Sequence, residues 1–140
     1  MARHSYLCPM RWADMDALGH INNTVYLAYL EQARIDVFFT KASGQGVGGL
    51  ATGIVVAEHH ITYRRPIAYG PLPLRIELWV SNLRAAAYTA EYEIWDESSG
   101  TPQLATTARS VLAPFDMAAG RLRRLTAAEK AFLEECRDGD

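Results

Sequence analysis

The chain has 140 residues, of which 49% are hydrophobic and 21% charged, with a net charge of −2. That length makes one domain, residues 1–140, large enough to bury a core without disulfides or metals, and the balance excludes a disordered, coiled-coil or collagen-like chain. No basic field is present to attract nucleic acid or an anionic membrane, and no apolar run reaches the ~18 residues of a membrane helix.

Residues 1–10 lack the apolar core of a signal peptide. Cys8 and Cys136 lie at opposite ends of the chain, which makes neither a disulfide framework nor a zinc set. The expected compartment is the reducing cytoplasm. The first element is a strand from Tyr6 to Trp12, where Tyr6, Cys8, Met10 and Trp12 share one face. A long helix from about Thr24 to Ala42 follows, ~28 Å at 1.5 Å per residue. Asn22 and Asn23 are its N-cap candidates, and Gly44 is its stop. Its stripe of Val25, Tyr26, Tyr29, Leu30, Ala33 and Val37 is widened by Phe38 and Phe39, so it is buried on most sides. Glu31 and Arg34 are spaced for an i,i+3 ion pair.

Ile54 to Arg65 opens apolar on both faces, then alternates through Ile61 and Tyr63, and reads as a central strand covered on both sides at one end. Leu74–Val80, Tyr88–Ile94 and Leu104–Phe115 alternate with period two, separated by the turn chemistry of Ser81–Arg84 and Asp96–Pro102. The last four strands read as an antiparallel meander. Thr126 and Glu129 form a capping box for a short amphipathic helix from Thr126 to Cys136. One sheet curled around a single central helix satisfies this order.

The chemistry concentrates between the first strand and the helix. Asp16 to Asn23 brings a carboxylate, a histidine and two carboxamides to a helix N-terminus, whose free N–H groups carry partial positive charge. Such donors hold a carbonyl oxygen that becomes negative during acyl transfer. A carboxylate beside them serves as general base or as nucleophile. Asp and Asn are also common caps and turn formers, so the cluster has a local explanation as well.

The run Asp14-Met15-Asp16, Gly19-His20-Ile21-Asn22-Asn23, Tyr26, Tyr29, Glu31, Ala33-Arg34 resembles the signature of the hotdog-fold acyl-CoA thioesterases of the 4-hydroxybenzoyl-CoA thioesterase family. His60-Ile61-Thr62-Tyr63 with Pro66 and Gly70 is similar to that family's second strand and following turn. The resemblance implies an α+β hotdog fold: a curled five-stranded antiparallel sheet wrapped around one long helix, with a short C-terminal helix. It implies hydrolysis of an acyl-CoA to acid and CoA without a cofactor or metal. Asp16 would be the catalytic carboxylate and the Asn23 backbone N–H the oxyanion donor, with His20 orienting water or capping the turn, and Asp14 structural. Asn22, Tyr26, Arg64 and Arg65 would bind substrate. The active site would lie between subunits of a homodimer or a dimer-of-dimers tetramer. The chain departs from the aryl-CoA members, which carry aromatic residues where Asn22 and Asn23 stand. It also departs from plant acyl-carrier-protein thioesterases, which place an Asn where Leu18 stands. A non-catalytic acyl-CoA-binding protein and an acyl-thioester hydratase or dehydratase using His20 with Asp16 are the alternative readings.

Other features carry less. Gly44 to Gly49 matches GxGxxG, but a helix precedes it and a strand follows, the reverse of a dinucleotide site; a flexible loop bordering the substrate channel is expected there. Glu58 is a secondary candidate for the carboxylate. His59 and His60 point to opposite strand faces and share no metal site. Arg121, Arg123 and Arg124 are further candidates for CoA phosphates. Trp79 and Trp95, on a nominally polar face, predict a covered surface such as a subunit interface.

Overall fold

The computed structural model describes residues 3–138. Strand β1 (His4–Cys8) leads through a short 3-10 turn, Trp12–Asp14, to the central helix α1. This helix is α-helical over Val25–Arg34, widens to π-helical turns over Ile35–Lys41 and closes over Ala42–Gly44. Strands β2 (Ile54–Tyr63), β3 (Leu74–Ser81), β4 (Tyr88–Asp96) and β5 (Gln103–Asp116) follow. A two-residue strand β6 (Arg121–Leu122) and helix α2 (Ala127–Glu135) complete the chain. The main sheet runs β1-β3-β4-β5-β2, antiparallel at every pairing, and β6 adds to the end of β5. This is the hotdog arrangement.

Period-two burial is complete along β3, where Leu74, Ile76, Leu78 and Val80 are buried and the residues between are not. These side chains, with Tyr88, Ala90, Tyr92 and Ile94 of β4, meet the Tyr26, Leu30, Ala33, Val37 and Phe38 stripe of α1 in one core. Each fully buried aliphatic side chain contributes roughly 1.5–3 kcal/mol. Helix α2 begins as its sequence predicts: Thr126 Oγ1 accepts from the Glu129 N–H, and the Glu129 carboxylate accepts from the Thr126 N–H.

Several expectations are corrected. The first strand stops at Cys8 because Pro9 cannot extend the ladder. Trp12 leaves the apolar face and is 71% exposed. Strand β2 is not central: the connection after α1 carries it to the far side of β5, and its other edge is open. Only β3, β4 and β5 form the meander. Helix α1 starts at Val25 after Thr24, and Asn22 is the residue that caps the turn, with its Oδ1 accepting from Thr24 N–H and Oγ1–H at 2.9 and 2.7 Å. Among the described residues Glu31 and Arg34 form no ion pair; Arg34 Nη1 instead donates to the Tyr92 hydroxyl at 3.1 Å. The cover expected over Trp79 and Trp95 comes at least in part from the chain itself: the guanidinium groups of Arg3 and Arg75 lie 3.8 and 5.3 Å from their ring centroids.

Candidate active site

The segment from Arg11 to Thr24 is held by one buried carboxylate. Asp14 is 3% exposed and accepts from the Tyr29 hydroxyl at 2.6 Å and the Arg11 backbone N–H at 3.0 Å, both through Oδ2. Its Oδ1 accepts from Arg11 Nε and Nη2. Burial alone would raise the Asp14 pKa, but these hydrogen bonds overcome it and hold the group below its ordinary value. Burial and the Asp14 charge drive the Tyr29 phenol upward.

With Asp14 fixed, the chain folds back on itself. Asp16 N–H donates to the His20 carbonyl at 2.8 Å and Gly19 N–H to the Asp16 carbonyl at 3.0 Å. Gly19 sits at φ +80°, a left-handed conformation that explains the glycine. Isolated bridges Met15–Ile21 and His20–Ala68, with Ile21 N–H donating to the Ile67 carbonyl, fasten this loop to the segment after β2.

Asp16, Asn23, Tyr26, Arg64 and Arg65 line one cleft of about 320 Å³, together with Ile21, Tyr63 and Pro66. Asp16 is exposed; its Oδ1 accepts from the Leu18 N–H at 2.9 Å, which orients the carboxylate at the helix start. Among the described residues the Asn23 N–H has no protein acceptor. Tyr63 is a site residue that sequence reasoning missed, although the end of a period-two strand beside two arginines was its signal. Its hydroxyl donates to the Asn23 carbonyl at 2.9 Å, and its ring meets Tyr26 edge-on at 5.0 Å. Burial raises the Tyr26 phenol pKa. The backbone N–H groups of Arg64 and Arg65 both bond the Ala105 carbonyl, which ends β2 and directs the two side chains to the cleft rim.

Other sequence candidates lie elsewhere. His20 and Asn22 are outside the cleft lining. Glu58 is exposed on β2. His59 is exposed on β2 but bonds the buried Ser110 Oγ at 2.7 Å, and partial desolvation is the main cause of its lowered pKa. His60 faces a polar groove on the other side of the sheet. The Arg123 guanidinium is already committed to the buried Glu129 carboxylate at 2.9 Å and to the Gly49 carbonyl, so it is not free for phosphate. The same contacts pin Gly49 against α2, so the glycine loop is anchored at that end rather than free. A larger cavity of about 430 Å³ lies between β1 and α1, but it borders Asp14 and Tyr29 rather than Asp16. Among the described residues no three His, Cys, Asp or Glu side chains gather as a metal set.

A curled antiparallel sheet around one long helix is the hotdog architecture, and Asp16 and Asn23 share a cleft at the start of that helix. The family model described as "Thioesterase-like superfamily" matches residues 10–135, and the chain belongs to that superfamily. No curated protein matches the sequence. Among solved structures, a predicted thioesterase from Bacillus stearothermophilus is 20% identical with a TM-score of 0.82, over 99% of each chain. A thioesterase complexed with coenzyme A and Zn from Thermus thermophilus is 25% identical with a TM-score of 0.76, over 97% of this chain and 95% of that one. The YbaW probable thioesterase from Escherichia coli is 25% identical with a TM-score of 0.74, over 97% and 98%.

Proposed function

We propose that the protein hydrolyses an acyl-CoA thioester to a free acid and CoA. The observation that carries this reading is the single cleft shared by Asp16, the Asn23 N–H, Tyr26, Arg64 and Arg65. The thioester carbonyl sits at the start of α1, with its oxygen on the Asn23 N–H, where the helix favours developing negative charge. Asp16 acts as general base or as nucleophile. As base, it takes a proton from water while the water oxygen bonds to the carbonyl carbon. The tetrahedral intermediate then expels the sulfur, which receives the proton. As nucleophile, it forms an anhydride that water opens. Arg64 and Arg65 at the rim take CoA phosphates. His20 lies outside the cleft lining and holds the loop through its backbone carbonyl, which accepts from the Asp16 N–H, and that position disfavours the hydratase reading, which needs its imidazole beside Asp16.

The open edge of β2 is the natural place for a second copy to add, because an unpaired strand edge is a template for another strand. Such a homodimer, with a tetramer built from two of them, supplies the wall that the exposed cleft lacks. Both cysteines are free and buried, which fits a cytoplasmic location.

The test is thiol release from a panel of acyl-CoAs by wild type and Asp16→Asn. We expect a loss of at least ~10²-fold in kcat for the variant with the fold retained. Wild-type rates from Asp16→Asn would overturn the mechanism, and tight acyl-CoA binding without thiol release would favour the binding-protein reading.

A further inference from the structure

The outer face of the sheet, turned away from α1, carries a polar groove of about 290 Å³. His60 and Thr62 of β2, Arg64 just beyond it, Thr107 and Arg109 of β5 and Glu91 of β4 border it. Period-two alternation puts these side chains on one face, and strand register brings them together. Thr62 stands opposite Thr107, and Arg109 stands between His60 and Glu91. At ~30 Å³ per water-sized group the groove holds about nine or ten heavy atoms.

The charges of this groove do not cancel. Among the described residues neither Arg64 nor Arg109 has a carboxylate within ion-pair distance. Glu91 stands opposite Arg109, but its carboxylate accepts from Ser81 Oγ at 2.7 Å. Ser81 pairs with Thr89, so that carboxylate leans away from the Arg64 end. Glu93, the next carboxylate on this face, is held by Arg3 at 2.6 Å. Arg64 Nε donates to Thr107 Oγ1 at 3.3 Å, which lays the guanidinium along the groove with its terminal nitrogens unused. Two guanidinium groups, an imidazole and two hydroxyls thus converge in a chain whose net charge is −2. Neighbouring cations repel each other until an anion lies between them, and guanidinium groups match phosphate oxygens two bonds at a time.

The groove is continuous with the Asp16 cleft through one side chain. Arg64 lines both, at the place where β2 ends. His60 stands four steps back along the strand, ~13 Å from Arg64. A pantetheine arm has about thirteen bonds from sulfur to phosphorus and spans ~15 Å extended, at 3.3–3.6 Å for every three bonds. An arm of that length, leading from a thioester at Asp16 past Arg64, reaches the groove.

We propose that this groove holds the diphosphate of CoA, so that the substrate bends round the end of β2. The thioester lies on the helix side of the sheet and the nucleotide end lies on the outer face. Arg64 is the pivot, and Arg109, His60 and the hydroxyls of Thr62 and Thr107 are the phosphate donors. The groove also selects the thiol carrier. Pantetheine borne on a protein has one phosphate, esterified to that protein, and leaves the Arg109 end empty, so free CoA is the carrier that fits. This inference rests on the acyl-CoA reading above and adds where the nucleotide end is held.

The test has two readouts on wild type and Arg109→Gln. CoA alone is titrated into each protein by calorimetry. Thiol release is then compared for the CoA and the pantetheine thioesters of one acyl group, the best cleaved of the panel above. Wild type is expected to favour the CoA thioester by about tenfold or more in kcat/KM. Arg109 is exposed and among the described residues its side chain has no hydrogen-bond partner, so the fold does not depend on it. Arg109→Gln should weaken CoA binding and raise KM for the CoA thioester, each about fivefold, with kcat unchanged. It should not raise KM for the pantetheine thioester, which has nothing to place in the groove. Inorganic pyrophosphate should displace CoA from wild type. CoA binding by Arg109→Gln at the wild-type affinity, or equal losses for both thioesters, would overturn the groove and leave the hydrolase reading standing. So would equal kcat/KM for the two thioesters in wild type. If no acyl-CoA releases thiol while CoA binding still weakens in Arg109→Gln, the hydrolase reading falls and the groove stands.

Discussion

Replacing Asp14 tests the claim that one buried carboxylate builds the active-site loop. Its two oxygens have different duties. Oδ2 takes the Tyr29 hydroxyl and the Arg11 N–H, whereas Oδ1 takes the Arg11 guanidinium, whose side chain is 78% exposed. Bonds to an exposed guanidinium contribute little after solvent screening. Asp14→Asn can turn its remaining oxygen to the Oδ2 position and let the Arg11 side chain swing into water, at a cost of ~1–2 kcal/mol from the lost charge. Asp14→Ala leaves the buried Tyr29 hydroxyl without an acceptor and should cost ~3–5 kcal/mol. At 2–4 °C per kcal/mol for a domain of about this size, the Tm falls by about 2–8 °C and about 6–20 °C respectively. Urea unfolding followed by tryptophan fluorescence measures both. The sign with pH is fixed: the Asp14 pKa is lower in the folded protein, so its stabilisation is present above the unfolded carboxylate pKa and is lost as pH falls through the folded one. The gap between wild type and Asp14→Asn should close in acid. Equal stability of Asp14→Ala and Asp14→Asn at neutral pH would refute the division of duties.

Gly49→Ala should destabilise by ~1–3 kcal/mol in the same assay, because a Cβ there falls inside the contact distance of the buried Glu129 carboxylate that Arg123 fixes. Tyr63→Phe should lower kcat by about three- to tenfold with little change in Tm, since it frees the Asn23 carbonyl next to the proposed oxyanion donor. Burial pushes the thiols of Cys8 and Cys136 up to about 11, so neither should react with a thiol reagent at pH 8 until urea unfolds the chain. Rapid labelling of the native protein would contradict that burial.

The sequence made much of this legible for identifiable reasons. Period-two alternation located β3 and β4 because each has one wet and one dry face. The capping box marked α2 because its two bonds are local. The cleft residues were readable because a strand end, a tight loop and a helix start are consecutive. What failed was non-local. Ile54-Val55-Val56 is apolar on both faces, yet that pattern is the same whether a neighbour strand comes from the same chain or not, so β2 was misplaced. The Arg34 partner was missed because Tyr92 lies 58 residues away, whereas Glu31 was the near choice.

The widened stretch of α1 has one consequence for how this chain tolerates change. In π-helical turns the carbonyls bond five residues ahead, so each turn holds more residues than its α-helical neighbours. Ile35–Lys41 therefore sets the angular phase between Tyr26, at the cleft, and the buried Ala42 beyond it. Removing a single residue there would let a regular helix form, and because the widened turns hold about one residue more than α-helical turns would, the downstream faces keep nearly the same register. Tyr26 and Ala42 would both keep their places in the core. A one-residue deletion should therefore be tolerated far better here than in Val25–Arg34, where it would rotate everything downstream by about 100°.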